Sequence, residues 1–126
     1  MRSEKGLTLL EVLVSMILLA VGLLGLAPLV VLSIEGNNMS RDVLTASTLA
    51  KVKLEEYQNA SSLPALPFTQ TETAISGIYD RLTRVEDNST DTLLPDGVAS
   101  VEVQIDWVDK VGVSRTARYY TLVSKD

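Results

Sequence analysis

Hydrophobic and polar positions divide the chain into two unlike parts. Residues 12–34 carry no charged side chain. At about 1.5 Å per residue they make a helix roughly 35 Å long, enough to cross a hydrocarbon core of about 30 Å. From Glu35 onward the uniform run gives way to a periodic one. Met39, Val43, Ala46, Ala50, Leu54 and Tyr57 recur at three- and four-residue spacings, which is one helical face, and Arg41, Asp42, Lys51, Lys53, Glu55 and Glu56 supply polar positions around it. This stripe predicts an amphipathic helix over 35–60 that packs on its own domain and stops between Asn59 and Ser62, ahead of Pro64. Gly36-Asn37-Asn38 is a weak point at which the helix could kink near the membrane surface.

The second half is shorter in its rhythms. Prolines at 64 and 67 make 63–68 extended and stiff, and the polar residues 69–76 read as the connection after the helix, so 61–77 is expected to be loop. Residues 78–86 fit two patterns: Ile78, Leu82 and Val85 share a helical face, while Arg81, Thr83 and Val85 alternate as in a short strand. Residues 87–97 close on the turn pair Asp96-Gly97 and read as loop. Val101, Val103, Ile105 and Trp107 then alternate with Ser100, Glu102, Gln104 and Asp106, the cleanest period-two run in the chain. A turn at 109–112 and a returning strand over 113–123 complete a hairpin. Trp107 lies on the apolar side of that alternation, which places it in the core rather than on an exposed binding surface.

The start of the chain adds chemistry to the pattern. Glu11 opens the apolar run, and a carboxylate inside a bilayer costs on the order of 3 kcal/mol. The helix macrodipole returns only a fraction of a kcal/mol at that position, so Glu11 requires a partner. Ahead of it stand Arg2, Glu4, Lys5 and then Gly6. A secretory signal peptide has an apolar core of about 7 to 15 residues followed by a small-x-small cleavage site; this run is longer, and 33–38 offers no such site. Arg2 and Lys5 before the span predict a cytoplasmic N-terminus, with the C-terminal domain across the membrane.

The string Gly6-Leu7-Thr8-Leu9-Leu10-Glu11-Val12 resembles the class III signal of type IV pilins and type II secretion pseudopilins. In that family a prepilin peptidase cuts after the glycine and the new N-terminus is methylated. The continuation, ending Val21-Gly22-Leu23-Leu24-Gly25-Leu26-Ala27, most resembles PilV-type minor pilins and the related I-type minor pseudopilins. Leu7 stands where the family usually has Phe. The resemblance extends well over residues 1–57 and loosely beyond.

What it implies is specific. Residues 1–6 are a leader, cleavage falls between Gly6 and Leu7, and Leu7 carries the methylated amine. Residues 7–34 are the transmembrane and assembly helix, and 35–126 the periplasmic head. Glu11 forms a salt bridge to the N-terminal amine of a neighbouring subunit and sets filament register. Gly22, Gly25 and Pro28 are positions of helix flexibility within an assembled filament; for the glycines, close helix packing is the other reading. The implied fold is α+β, type IV pilin-like: a long N-terminal helix, half of it transmembrane, packed on a small antiparallel sheet of three or four strands, with 78–86 as one strand. The implied protein is a minor pilin that primes or modifies type IV pilus assembly, held in the inner membrane as a single-pass protein and then in the pilus, at its tip. Its partners are the prepilin peptidase, other minor and major pilins, the inner-membrane assembly platform and the membrane. An I-type minor pseudopilin of type II secretion is a close alternative. An uncleaved, signal-anchored periplasmic sensor or binding domain is an alternative of another class.

Composition narrows the chemistry further. The chain of 126 residues has room for one span and one small domain. Loss of residues 1–6 changes the 11 basic and 16 acidic residues to 9 and 15, an acidic balance with no electrostatic footprint for nucleic acid. Arg115 and Arg118 are a close arginine pair outside the long helix, and Asp106 and Asp109 lie near them in sequence. Histidine and cysteine are absent, which removes His-based catalysis, Cys-His and Ser-His nucleophile pairs and His-containing zinc sites, and leaves the head to fold by packing without a disulfide. Glu86, Asp87, Asp91 and Asp96 are close in sequence, but their spacing does not match an EF-hand loop, and a solvated loop is expected there. No enzyme activity, cofactor or metal is expected.

Overall fold

The computed structural model describes residues 8–126. One helix, α1 (Leu9–Gln58), is followed by four strands, β1 (Phe68–Ile75), β2 (Tyr79–Asp87), β3 (Val98–Val108) and β4 (Ser114–Ser124). The chain divides into two units at Asn38, and each has its own logic.

In the second unit, the sheet is antiparallel throughout, with spatial order β1-β2-β3-β4. Register follows the alternation of β3. Ala99, Val101, Val103, Ile105 and Trp107 face one way and are all buried, while the residues between them face the other. The strand partners of those residues carry the rest of the inward face: Val85 opposite Val101, Thr83 opposite Val103 and Arg81 opposite Ile105 on β2, and Val123, Tyr119 and Ala117 on β4. The C-terminal part of α1 covers this face with Ala46, Ala50 and Tyr57. Residues 78–86, open to two readings, form most of β2, so the strand reading holds there. The sheet thus has four strands, and the arrangement is α+β and pilin-like.

Four expectations need correction. The segment 61–77, read as loop, contains β1 over Phe68–Ile75. Its inward residues, Phe68, Gln70 and Glu72, are mostly polar, which an edge strand tolerates because it is covered on one side only. α1 is assigned as helix through Gly36-Asn37-Asn38. Each unfavourable residue costs at most about 1 kcal/mol, and helix propagation from both sides offsets that. Lys53, expected among the outward polar positions, is buried. Its stem lies in the interface while its ammonium reaches Glu56 at 3.0 Å and stands 5.6 Å from the centre of the Tyr57 ring. Conversely Met39 and Val43, expected in the packed stripe, are exposed. The helix ends at Gln58, short of the expected 59–62.

Polar ties hold helix and sheet in register. Arg81 is 11% exposed, donates through Nε to Glu72 at 2.7 Å and through Nη1 to the Leu49 carbonyl at 3.1 Å. Gln58 Nε2 donates to the Thr121 hydroxyl at 2.8 Å. Tyr79 packs against Trp107 with ring centres 5.8 Å apart, and its hydroxyl approaches the Asp42 carboxylate at 3.4 Å. Burial pushes the Tyr79 hydroxyl pKa up, and burial with nearby Glu56 and Glu72 does the same to Tyr57.

Candidate functional site

The N-terminal segment carries the candidate site, and its geometry starts from a cap. Thr8 precedes the first helical residue; its Oγ1 accepts the Glu11 N–H at 3.3 Å and its carbonyl accepts the Val12 N–H at 3.1 Å. Such a cap satisfies one of the backbone donors left over at a helix start. Thr8 is a contributor that the reading of the residues passed over, although the spacing Thr8-x-x-Glu11 is the sequence form of a capping box. Gly6 and Leu7, the expected cleavage and methylation positions, lie outside the described residues.

Glu11 falls in the first turn of α1 and is exposed. Among the described residues no basic side chain pairs with it. Its carbonyl accepts the Ser15 hydroxyl at 2.8 Å, an internal tie of the helix. The carboxylate is therefore held at the helix N-terminus, where its sign suits the macrodipole.

Residues 9–37 are exposed on every side of the helix, Leu24 to 74%. Apolar surface on this scale marks a membrane or a protein partner, and by length and composition α1 can cross a membrane. Gly22 and Gly25 lie within it, with no atom within 4 Å of where a side chain would start. Pro28 is accommodated inside the helix; lacking an N–H, it leaves the Leu24 carbonyl without the usual intrahelical donor. Glu11 and Pro28 are about 25 Å apart along such a helix. The candidate residues therefore do not converge on a pocket. They lie in sequence along one rod, an arrangement suited to side-by-side association.

The head shows ionic side chains used as structural ties. Asp87 accepts from Lys125 Nζ at 2.7 Å and from the Ser89 hydroxyl, and these bonds, the one from Lys125 first, lower its pKa from 3.8 to about 2. Asp109 accepts the Val113 and Val111 N–H groups and Arg115 Nε, and its pKa is lowered, chiefly by the Val113 bond. An open cleft of about 440 Å³ is lined by Ser61, Ser62, Leu63, Pro64, Leu66, Asp87 and Lys125, and its two charged groups are spent on each other. In the 87–97 connection the acids are engaged separately: Asp96 with Asn88, Asp91 with the Leu93 N–H, and Asp87 as above, while Glu86 faces the other side of the sheet. Arg115 and Arg118 also fail to form a patch, since Arg115 pairs with Asp109 on the inward face and Arg118 with Gln104 on the outward one.

Residues 1–27 match a family model described as the prokaryotic N-terminal methylation motif. No curated protein and no solved structure matches the chain. The motif supports a type IV pilin-like protein, a structural subunit associated in general terms with other pilins and with the prepilin peptidase. Together with the apolar helix it fits a membrane-anchored pilin.

Proposed function

We propose that the chain is a minor pilin, cleaved by prepilin peptidase between Gly6 and Leu7, methylated on Leu7 and incorporated at or near the tip of a type IV pilus, where it primes assembly with other minor pilins. The observation that carries this reading is the methylation motif over residues 1–27 joined to a helix whose side chains from 9 to 37 are exposed all round, while the remaining chain folds on its own small sheet. Such a helix reaches a stable environment in two places, the bilayer before assembly and a bundle of like helices after it. In both, residues 7–34 lie within an apolar surround and the head of 35–126 lies outside it, in the periplasm first.

Within the filament, Glu11 accepts the free amine of Leu7 from an adjacent subunit. The pair neutralises both charges away from water, and because each partner has a fixed place on its helix, it sets the axial offset between subunits. Gly22, Gly25 and Pro28 supply a stretch that unwinds at low cost when helices bundle. The ending Val21-Gly22-Leu23-Leu24-Gly25-Leu26-Ala27 resembles I-type minor pseudopilins of type II secretion as well as PilV-type minor pilins, and the I-type is the second reading within the same class.

The test is the mature N-terminus. Mass spectrometry of the protein from cells with active prepilin peptidase should find a chain starting at methylated Leu7, and Gly6→Ile should leave unprocessed precursor in the membrane. Intact Met1 in the wild-type protein would overturn the reading in favour of an uncleaved anchor. Recovery with sheared pili, or loss of secretion without loss of pili on deletion, separates the two pilin-class readings.

A further inference from the structure

Both hairpin turns of the head lie at one end of its sheet. β1 passes into β2 through 76–78, and β3 into β4 through 109–113. In an antiparallel sheet of order β1-β2-β3-β4 these two connections share an end, while the 88–97 connection occupies the other. Side-chain contacts fix which end of the head's own helical stretch accompanies them. Tyr79, at the first position of β2, approaches Asp42 and packs on Trp107, whereas Gln58 bonds Thr121 toward the opposite end. The turns therefore sit at the end where α1 enters the head.

The tips of these turns are apolar. Ile78, Val111 and Val113 are exposed, Val111 to 67%, in positions that polar and small residues ordinarily fill. The carboxylate of the second turn is already satisfied: Asp109 accepts two backbone N–H groups and Arg115, and Gly112 takes the left-handed conformation, with φ of 82°, that the turn requires. The turn is thus a built structure that displays aliphatic side chains, with exposed Lys110 between them.

We propose that this end of the head is a lipid-contact surface, with Ile78, Val111 and Val113 entering the interfacial layer of the bilayer and Lys110 meeting headgroup phosphate. Chain connectivity argues for lipid as the occupant. Asp42 is eight residues from Ile34, the last residue of the uncharged run, and eight residues reach at most about 28 Å even when fully extended. While the span lies in the bilayer, the Tyr79–Trp107 end is consequently tethered near the membrane surface, and the bilayer is an apolar partner within reach. Aliphatic side chains need to descend only about 5 to 10 Å to reach the boundary between headgroups and acyl chains. The inference rests on the span alone and is independent of cleavage, methylation and filament assembly.

The chain has no cysteine, so single labels report cleanly. Val111→Cys, Leu93→Cys and Leu18→Cys in the full-length protein are each labelled with a fluorophore and reconstituted into phosphatidylcholine nanodiscs containing lipid with a nitroxide near the headgroup end of the acyl chain. Leu93, 90% exposed in the 88–97 connection, reports the far end of the head, and Leu18 the span. The expected result is quenching at position 111 severalfold stronger than at 93. Quenching at 18 with equally weak quenching at 111 and 93 would overturn the lipid contact while leaving the span intact. No quenching at 18 would overturn both. Shielding of the 111 label that follows protein concentration in detergent and not lipid would assign this end to a protein partner and overturn the proposal.

Discussion

The two parts of α1 are continuous in backbone and opposite in what stabilises them. From Leu9 to residue 38 no side chain is buried within the chain, and an apolar surround must come from outside. From residue 39 to Gln58 a narrow stripe of Ala46, Ala50, Lys53 and Tyr57 is buried on the protein's own sheet, and the remaining faces carry charges and scattered apolar residues. A helix can therefore be specified twice over by different physics: uniform hydrophobicity where the solvent is to be lipid or other helices, and periodicity where it is to be one sheet in water. The difference predicts that substitutions in the first stretch alter association and leave the head folded, whereas those in the second stretch and its sheet alter folding.

The strongest test of that division is Glu11→Gln. If Glu11 pairs with a neighbour's amine, loss of its charge costs about 3 to 5 kcal/mol at the buried pair, on the order of a hundredfold or more in association. The variant should be processed normally and depleted from sheared filaments on immunoblots, with an unchanged melt of the head. Unreduced incorporation would remove the register role.

A smaller effect, on folding and not on association, is expected at Arg81. Arg81→Met breaks the ties to Glu72 and to the Leu49 carbonyl, and with Glu72 still 30% exposed the loss should be about 2 kcal/mol. Trp107 fluorescence during thermal unfolding in detergent would read it, and an unchanged midpoint would show that the helix is held on the sheet by apolar packing alone. The tie between Asp87 and Lys125 sharpens the comparison through pH. Because the folded pKa of Asp87, about 2, lies below its ordinary 3.8, its contribution is full above about pH 4 and is lost as pH falls toward 2. Lys125→Met should lower the head's melting temperature at neutral pH and flatten its decline between pH 4 and 2. Least affected should be Lys51→Ala: Lys51 and Glu55 pair at 3.7 Å with side chains 75% and 52% exposed, and the change in the same melt should be about 0.3 kcal/mol.

Much of the fold was legible because the relevant patterns are strong. The uncharged run of 12–34 and the alternation of Val101, Val103, Ile105 and Trp107 each repeat one period without interruption. β1 was not legible, since Thr69, Thr71 and Thr73 alternate with Phe68, Gln70 and Glu72, and an inward face with two polar residues gives little contrast. Lys53 escaped because a lysine can bury its stem while its ammonium finds Glu56, a pairing that residue type alone does not announce. At the candidate site, Glu11 stood out as a charge at the edge of an apolar run. Thr8 did not, because its part is a local hydrogen bond within a string read for cleavage.

Ala46 and Ala50 leave no surface to solvent, and with side chains this short the thickness of the head is set by two methyl groups. A leucine at either site would act as a shim, prising the rod from the strands beneath and loosening Tyr57 and Trp107 together, whereas equal bulk at Thr48 or Glu55 would simply extend into water. The narrowest tolerance in the molecule thus belongs to two of its smallest side chains.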